Sequence, residues 1–328
     1  MTNTVYPSTE QWLGIAKETV PGVAMTAPTL WVPVDSPTYH LVTKPLVDQA
    51  LRGTMAVDFQ QQQGSSHSEV KYKTYLYLDS GYPHFLAILG NPDTLSGASD
   101  PYTHKTALYN GSGTNAAQPA SYTIFISDAA GKVQQVPGCI PSDVKLTVGA
   151  DALISLDVMW VGMPGTQITP PVNTPSTVKP TPAWNAVVSI GGAATTRFTT
   201  VEIDIKRATE AVVTLTGSQA PYTIFGGPVS VAGSLNAIYQ GSTDTDWVNY
   251  LTNVQPALTV KCAPPGDATH YLLVQLSQVA YDDATYSGTN KYQEIKSTIK
   301  GLANSTDALS GAFSPVQVQL LTPVSTAY

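Results

Sequence analysis

Charge is scarce in this chain. Only 12% of its 328 residues are Asp, Glu, Lys or Arg, and acids outnumber bases by 23 to 16, for a formal net charge of −7. Phosphate contacts need clustered Lys and Arg, so this balance excludes a nucleic-acid-binding protein by charge. Cysteine is scarcer still. Cys139 and Cys262 stand far apart, with neither the density of a disulfide framework nor the paired spacing of a metal site. They are read as reduced, buried or half-buried thiols of a protein made in a cytoplasm, a single disulfide between the two halves being the alternative. No apolar run approaches membrane-spanning length, so no membrane partner is assigned. The opening Met1-Thr2-Asn3-Thr4-Val5-Tyr6 has no basic cluster ahead of an apolar stretch, so no secretory signal is expected.

Catalytic signatures are missing too. His40, His67, His84, His104 and His270 are widely separated, without ligand spacing such as His-Glu-x-x-His, and are expected at the surface or in turns. No glycine loop ends in Lys-Ser or Lys-Thr, and Gly64-Ser65-Ser66-His67-Ser68 lacks the closing glycine of a nucleophile elbow. Asp282 and Asp283 are adjacent, which on a strand would send them to opposite faces; a solvated turn is the better reading. No catalytic residue, cofactor or metal is therefore assigned, and the chain is not expected to be an enzyme.

Gly and Pro, at 25 each, and 17 Tyr are abundant, giving a turn-rich, β-leaning composition. The length suits two halves of roughly 150 residues, each large enough to bury a core. Between them, residues 169–182 carry Pro170, Pro171, Pro175, Pro180 and Pro182, which force extended, semi-rigid backbone. The division is an N-terminal arm over 1–14, a first β unit over 15–168, the Pro-rich linker over 169–182 and a second β unit over 183–328.

The two units follow the same order. An alternating strand over 70–77 leads into a helix over 80–90 closed by Gly90, and a strand over 229–239 leads into a helix over 242–251 with a hydroxyl cap and acids in its first turn. Further strands follow over 121–127 and 143–161, and over 257–262 and 271–278. Alternation assigns faces: Ile154, Leu156, Val158 and Trp160 to a core with Ser155 and Asp157 outward, and Glu202, Asp204 and Lys206 to a polar face. Met55, Val57 and Phe59 alternate likewise with Ala56, Asp58 and Gln60 along a strand over 54–59. One face of each sheet is wet and leans acidic. Gln60, Gln61, Gln62, Gln63, Gly64, Ser65, Ser66 and His67 are polar and read as a hairpin tip. The corresponding excursion over 208–228 is more apolar, with Leu215, Tyr222 and Phe225, and is expected to bury itself against its own sheet or a neighbouring subunit.

An ordered set of features resembles the tail tube proteins, or major tail proteins, of long-tailed bacteriophages. Gly14-Ile15-Ala16-Lys17-Glu18-Thr19-Val20-Pro21-Gly22-Val23-Ala24, followed by Thr29-Leu30-Trp31-Val32-Pro33-Val34, is similar to that family's opening arm and first strand. Leu51-Arg52-Gly53 and Pro137-Gly138-Cys139-Ile140-Pro141-Ser142-Asp143 continue the pattern, and the latter leads into a long strand pair. The resemblance implies a mainly β fold of two tandem β-sandwich or partial-barrel units, each with a short flanking helix. It also implies a structural virion protein of the tail, synthesised in the host cytoplasm. Its sheet joins those of other copies into rings stacked as a tube, through which DNA passes without specific binding.

A doubled unit favours a trimeric ring with pseudo-sixfold symmetry, a hexamer being the fallback. Tape measure and tail terminator or initiator proteins are the further partners implied. Asp58, Glu202 and Asp204 are candidate lumen residues, since a conduit must not hold its cargo. Gln60 to His67, with Leu215, Tyr222 and Phe225, are candidate inter-ring or inter-subunit contacts. A glycan-binding or adhesive β-sandwich module of a virion is the alternative, drawn from the tyrosines and from Trp12, Trp31, Trp160, Trp184 and Trp247. Trp160 and Trp247 fall at core-like positions, which counts against it. A capsid decoration or head-completion protein shares the composition but needs no second copy of a ring-forming sheet.

Overall fold

Long antiparallel ribbons dominate the chain because β-branched, aromatic and small polar residues run for 14–16 positions between its Gly- and Pro-rich breaks. The structure is a computed structural model and describes residues 5–111, 117–215, 217–288, 292–309 and 312–328; residues 1–4 of the N-terminal arm lie outside it. The first half supplies β1 (Leu13–Lys17), β2 (Leu30–Val32), β3 (Asp35–Asp48), β4 (Gln60–Tyr75), helix α1 (Tyr82–Leu89) and β5 (Thr94–Ser96). It continues with β6 (Tyr102–Ala107), β7 (Tyr122–Ser127), β8 (Val133–Gly149), β9 (Ser155–Gly162) and β10 (Thr166–Ile168). The second half supplies β11 (Val187–Ile190), β12 (Ala193–Thr195), β13 (Phe198–Val212), β14 (Thr223–Ile238) and helix α2 (Thr245–Thr252). Then come β15 (Leu258–Cys262), β16 (Tyr271–Leu276), β17 (Val279–Gly288), β18 (Gln293–Gly301) and β19 (Gln317–Thr322).

The fold is mainly β, with two sheets and no closed barrel among the described residues. The larger sheet contains the continuous row β3-β4-β9-β8-β13-β14-β18-β17, all antiparallel. The N-terminal part of β8 leaves this row to pair with β7, which leads on to β1 and β2. The smaller sheet runs β12-β11-β15-β16-β19-β6-β5. Both sheets draw strands from either side of residues 169–182. One apolar cluster accordingly spans the chain, from Leu13 and Val70 through Leu146 and Ile203 to Val274 and Leu320.

Helix α1 is wedged into this core, with every residue except Pro83 buried. Gly90 ends it in the left-handed region at φ 78°, a conformation glycine adopts without Cβ strain. Arg207 of β13 reaches across to donate to the carbonyls of Ile88 at 2.7 Å and Leu89 at 3.1 Å, so second-half chemistry completes a first-half helix. Beneath the helix, Trp160 Nε1 donates to Tyr72 Oη at 3.0 Å, and Tyr72 Oη lies 2.8 Å from His84 Nε2. His84 Nδ1 faces the Gly81 carbonyl at 3.3 Å. In a neutral ring protonated on Nδ1, every polar atom of this chain has its partner.

His84 thus has a measurable consequence. Burial pushes its pKa down to about 4, against the raising effect of the Gly81 and Ser80 backbone. The unfolded chain takes up a proton near pH 6.5 that the folded chain refuses until about pH 4. Stability is therefore fully present above the unfolded value and is lost as pH falls across that window, by about 3 kcal/mol. Urea unfolding at about pH 7 and about pH 4.5 should show the loss, and His84→Gln should remove most of it. An equal pH dependence in the variant would refute the assignment.

Several expectations are corrected by position. Residues 54–59 form no strand, and Met55 and Val57 are exposed. His84 and His104 are fully buried; His104 holds Asp93 at 2.6 Å and the Val324 carbonyl at 2.9 Å through its two ring nitrogens. Ser155 is buried at the start of β9, next to Ile154, whose backbone N donates to the Thr181 carbonyl at 3.0 Å. The cap of α2 is the Asp244 carboxylate, which accepts from the backbone of Asp246 and Trp247, and no hydroxyl takes this part. Asp282 and Asp283 lie in β17 at a bulge, both exposed, with Asp282 2.6 Å from Lys300. Trp247 is half-buried.

Candidate assembly surfaces

The row of eight strands repeats itself. β3, β4, β9 and β8 pair in the same order as β13, β14, β18 and β17, and β4 and α1 match β14 and α2 at one shared shift in numbering. Gln60 and Tyr75, the ends of β4, correspond to Thr223 and Ile238, the ends of β14; Tyr82 and Leu89 of α1 correspond to Thr245 and Thr252 of α2. The irregularities match as well. A bulge between Thr43 and Pro45 of β3 answers one between Arg207 and Thr209 of β13, and one between Pro141 and Asp143 of β8 answers one between Tyr281 and Asp283 of β17. A third pair falls near the start of each first strand, at Asp35/Thr38 and Phe198/Thr200. Each bulge re-aims its strand, so the two four-strand runs change direction at corresponding points.

One face of this row covers the core and the other is polar. Across β3, β4, β9, β8 and β13, Asp35, Lys73, Asp157, Lys145 and Asp204 stand directly side by side, alternating in sign. Ion pairs reinforce the pattern: Lys145 with Glu202 at 3.1 Å, Lys206 with Asp204 at 2.8 Å and Lys71 with Glu69 at 3.3 Å. Lysines on neighbouring strands thus offset part of the acidic lean read from sequence, with carboxylates still the more numerous among the groups named. Asp143 and Asp204 each bury an Oδ1 without a donor. Burial first, and then the hydrogen-bonding carboxylate of Asp204, push the Asp143 pKa up to about 7, as for two carboxyls placed to share one proton.

Glu202 and Asp204 are thus brought together on the polar face, whereas Asp58 is elsewhere. It lies at the tip of the β3–β4 hairpin, residues 49–59, accepting from Gln49 Nε2 at 2.8 Å. Gln60 to His67 are not the tip but the first half of β4, paired with β3 from Asp48 to Val42. They do make a contact. Ser66 N donates to the Gln219 carbonyl at 2.9 Å and Gln219 Nε2 donates to the Gln63 carbonyl at 3.1 Å, so the tip of the β13–β14 hairpin docks on β4. The excursion over 208–228 is that second hairpin. Its Ile224 is buried with Ile140 and Val161, while Leu215, Tyr222 and Phe225 stay exposed.

Edges and apolar patches not picked out from sequence complete the surface. β3 and β17 end the row, each paired on one side only. Pro37 and Pro45 bracket the open edge of β3, a sequence signal for an edge strand. Leu41 on β3 and Tyr286 on β17 are exposed there, as are Val248 and Leu251 on α2. Among the described residues no group of His, Cys, Asp and Glu is placed to hold a metal, and no helix is long and apolar enough to cross a membrane.

A family model described as phage tail tube protein matches residues 10–303. This chain belongs to the phage tail tube protein family. No curated protein matches it. As a tail tube protein it is a structural component of the bacteriophage virion, located in the tail and assembling with further copies into a tube. The surfaces of a tail tube protein that require explanation are its open sheet edges and its solvent-facing sheet, which are the features built here by β3, β17 and the polar row.

Proposed function

We propose that this tail tube protein carries two tandem copies of a ring-forming unit, and that three chains close into a ring with pseudo-sixfold symmetry. The observation that carries this reading is the repeated strand order with its matching bulges, which makes one chain equivalent to two positions of a ring. Closure removes the open edges of β3 and β17, which otherwise template aggregation. The polar face of the eight-strand row then lines a channel for DNA ejection into the host cell. The other face is occupied by the core, so no second face is free to do so. Glu202 and Asp204 are lumen residues in this arrangement. Lysines already paired with carboxylates gain little from phosphate, because few counterions are released when DNA passes.

Rings stack through the projecting tip over 49–59, where Leu51 and Met55 are fully exposed. Chains synthesised in the host cytoplasm assemble there with tape measure, initiator and terminator proteins. Negative-stain electron microscopy of concentrated protein should show hollow rings or tubes with threefold averages. Replacing residues 50–58 by a short Gly-containing turn should leave rings but shorten or abolish tubes. Solid particles, or sixfold rings whose subunit mass equals one chain per unit, would refute the trimer.

A further inference from the structure

The join between the two four-strand runs inside one chain shows how one chain meets the next. It rests on the ring reading above and adds an atomic register to it. Within the chain, the last strand of the first run, β8, pairs with the first strand of the second, β13. Asp143 faces Lys206, Val144 faces Ile205, Lys145 faces Asp204, Leu146 faces Ile203 and Thr147 faces Glu202. The remaining last strand is β17 and the remaining first strand is β3, and both are open.

The matching bulges fix the correspondence residue by residue. Asp143 follows the bulge of β8 as Asp283 follows that of β17, and Arg207 precedes the bulge of β13 as Thr43 precedes that of β3. Lys206 therefore corresponds to Val42. We infer that β17 pairs antiparallel with β3 of the next copy, with Asp283 opposite Val42, Ala284 opposite Leu41, Thr285 opposite His40, Tyr286 opposite Tyr39 and Ser287 opposite Thr38.

Three independent features of the chain fit this seam. The paired window of β3, residues 38–42, lies between Pro37 and Pro45, so every residue in it retains a backbone donor. Apolar exposure falls where the seam would cover it. Ile205 and Leu146 are buried at the internal join, while their counterparts Leu41 and Tyr286 remain 42% and 51% exposed; Ala284, the counterpart of Val144, is already buried and Tyr39, that of Ile203, is half-buried. Tyr286 is already held in place, stacked on Tyr239 at 5.0 Å and edge-on to Trp247 at 5.3 Å.

The helices give the third feature. α1 is buried against β8, against β6 and β19 of the smaller sheet and against β13 of the second run, whereas α2, its counterpart, packs on β17 and β18, has only Asp246 and Asn249 buried and exposes Val248, Leu251 and the following Val254. The part of the cover that β13 gives α1 is given to α2 by β3 of the next copy. The Arg207 cap does not recur there, because its counterpart is Thr43, so the seam between chains relies on apolar cover where the internal join also uses charge.

Cysteine pairs read the register directly. Thr285→Cys with His40→Cys, and Asp283→Cys with Val42→Cys, should give disulfide-linked oligomers ending at trimer when rings are oxidised. Asp283→Cys with Thr38→Cys, which is four residues out of register, should give at least about tenfold less, since Cα atoms more than about 7 Å apart are not bridged. Cys139 and Cys262 are buried free thiols and leave the background low. Hydrogen exchange on unmodified protein should show residues 38–42 and 283–287 protected in rings and open in monomers. Rings without the in-register disulfides, or without that protection, would overturn the seam while leaving the tube reading intact. Unmodified chains that never form rings would overturn both.

Discussion

Leu41→Asp is expected to abolish ring formation while leaving the isolated chain as stable as before. In the monomer Leu41 lies on an open edge and is 42% exposed, so a carboxylate there remains hydrated and the change in unfolding free energy should stay within about 0.5 kcal/mol. In a ring the same position corresponds to Ile205, which is fully buried. A carboxylate placed there without a partner weakens each seam by about 3 kcal/mol or more, on the order of a hundredfold per contact. Every seam of a closed ring carries the defect, so the losses multiply. Sedimentation velocity should find only monomer at concentrations where the unmodified chain forms rings, and thermal melts of the two monomers should superimpose. Leu41→Val, which stays apolar and is β-branched like Ile205 at the corresponding position, should assemble. Rings formed by Leu41→Asp would show that β3 is not at the subunit boundary.

That expectation could not have been written from the sequence, and the reason is physical. Residues 70–75 and 156–160 show clean alternation because one face of β4 and of β9 lies on the core, and there both burial and strand assignment agree with the structure, Ser155 at the start of β9 being the exception. The N-terminal half of β4 projects past the core, with both its faces near solvent, so Gln60 to Gln63 lose the alternation that marks a strand and read as a loop. Met55 and Val57 err in the opposite sense. They alternate, but at a hairpin tip where nothing covers them in one chain. Each mistake moves the tip by about one hairpin arm, which is why Asp58 was grouped with Glu202 and Asp204.

Partners far along the chain account for the other differences. His84 is buried because Tyr72 and Trp160 enclose it, and His104 because Asp93 and the carbonyl of Val324 do. No local pattern announces such contacts. The doubled order of strand and helix was legible, since both halves alternate and then break at a capped helix. The shift that aligns them was not, because it is set by bulges, and a bulge leaves no mark on a polar strand until its partner is known.

The correspondence between the runs also predicts where the fold depends most on a single side chain. Trp160 is 1% exposed, packs edge-on against Tyr122 at 5.5 Å and donates to Tyr72. Trp160→Ala should lower the unfolding free energy by about 3–5 kcal/mol, through lost burial and the cavity left behind. The stranded Tyr72 hydroxyl, which still faces His84, adds to this loss. Position for position the second run has Leu235 for Tyr72, Ile299 for Trp160 and Trp247 for His84, so the Trp160–Tyr72–His84 hydrogen bonds do not recur there.

Ile299→Ala removes fewer buried atoms and no hydrogen bond, and should cost less than Trp160→Ala. Denaturant midpoints at a common slope would rank the two. If Ile299→Ala were the more damaging, the second run would be the stability-limiting half. The buried hydrogen-bonded chain around His84 would then add specificity of packing and little free energy.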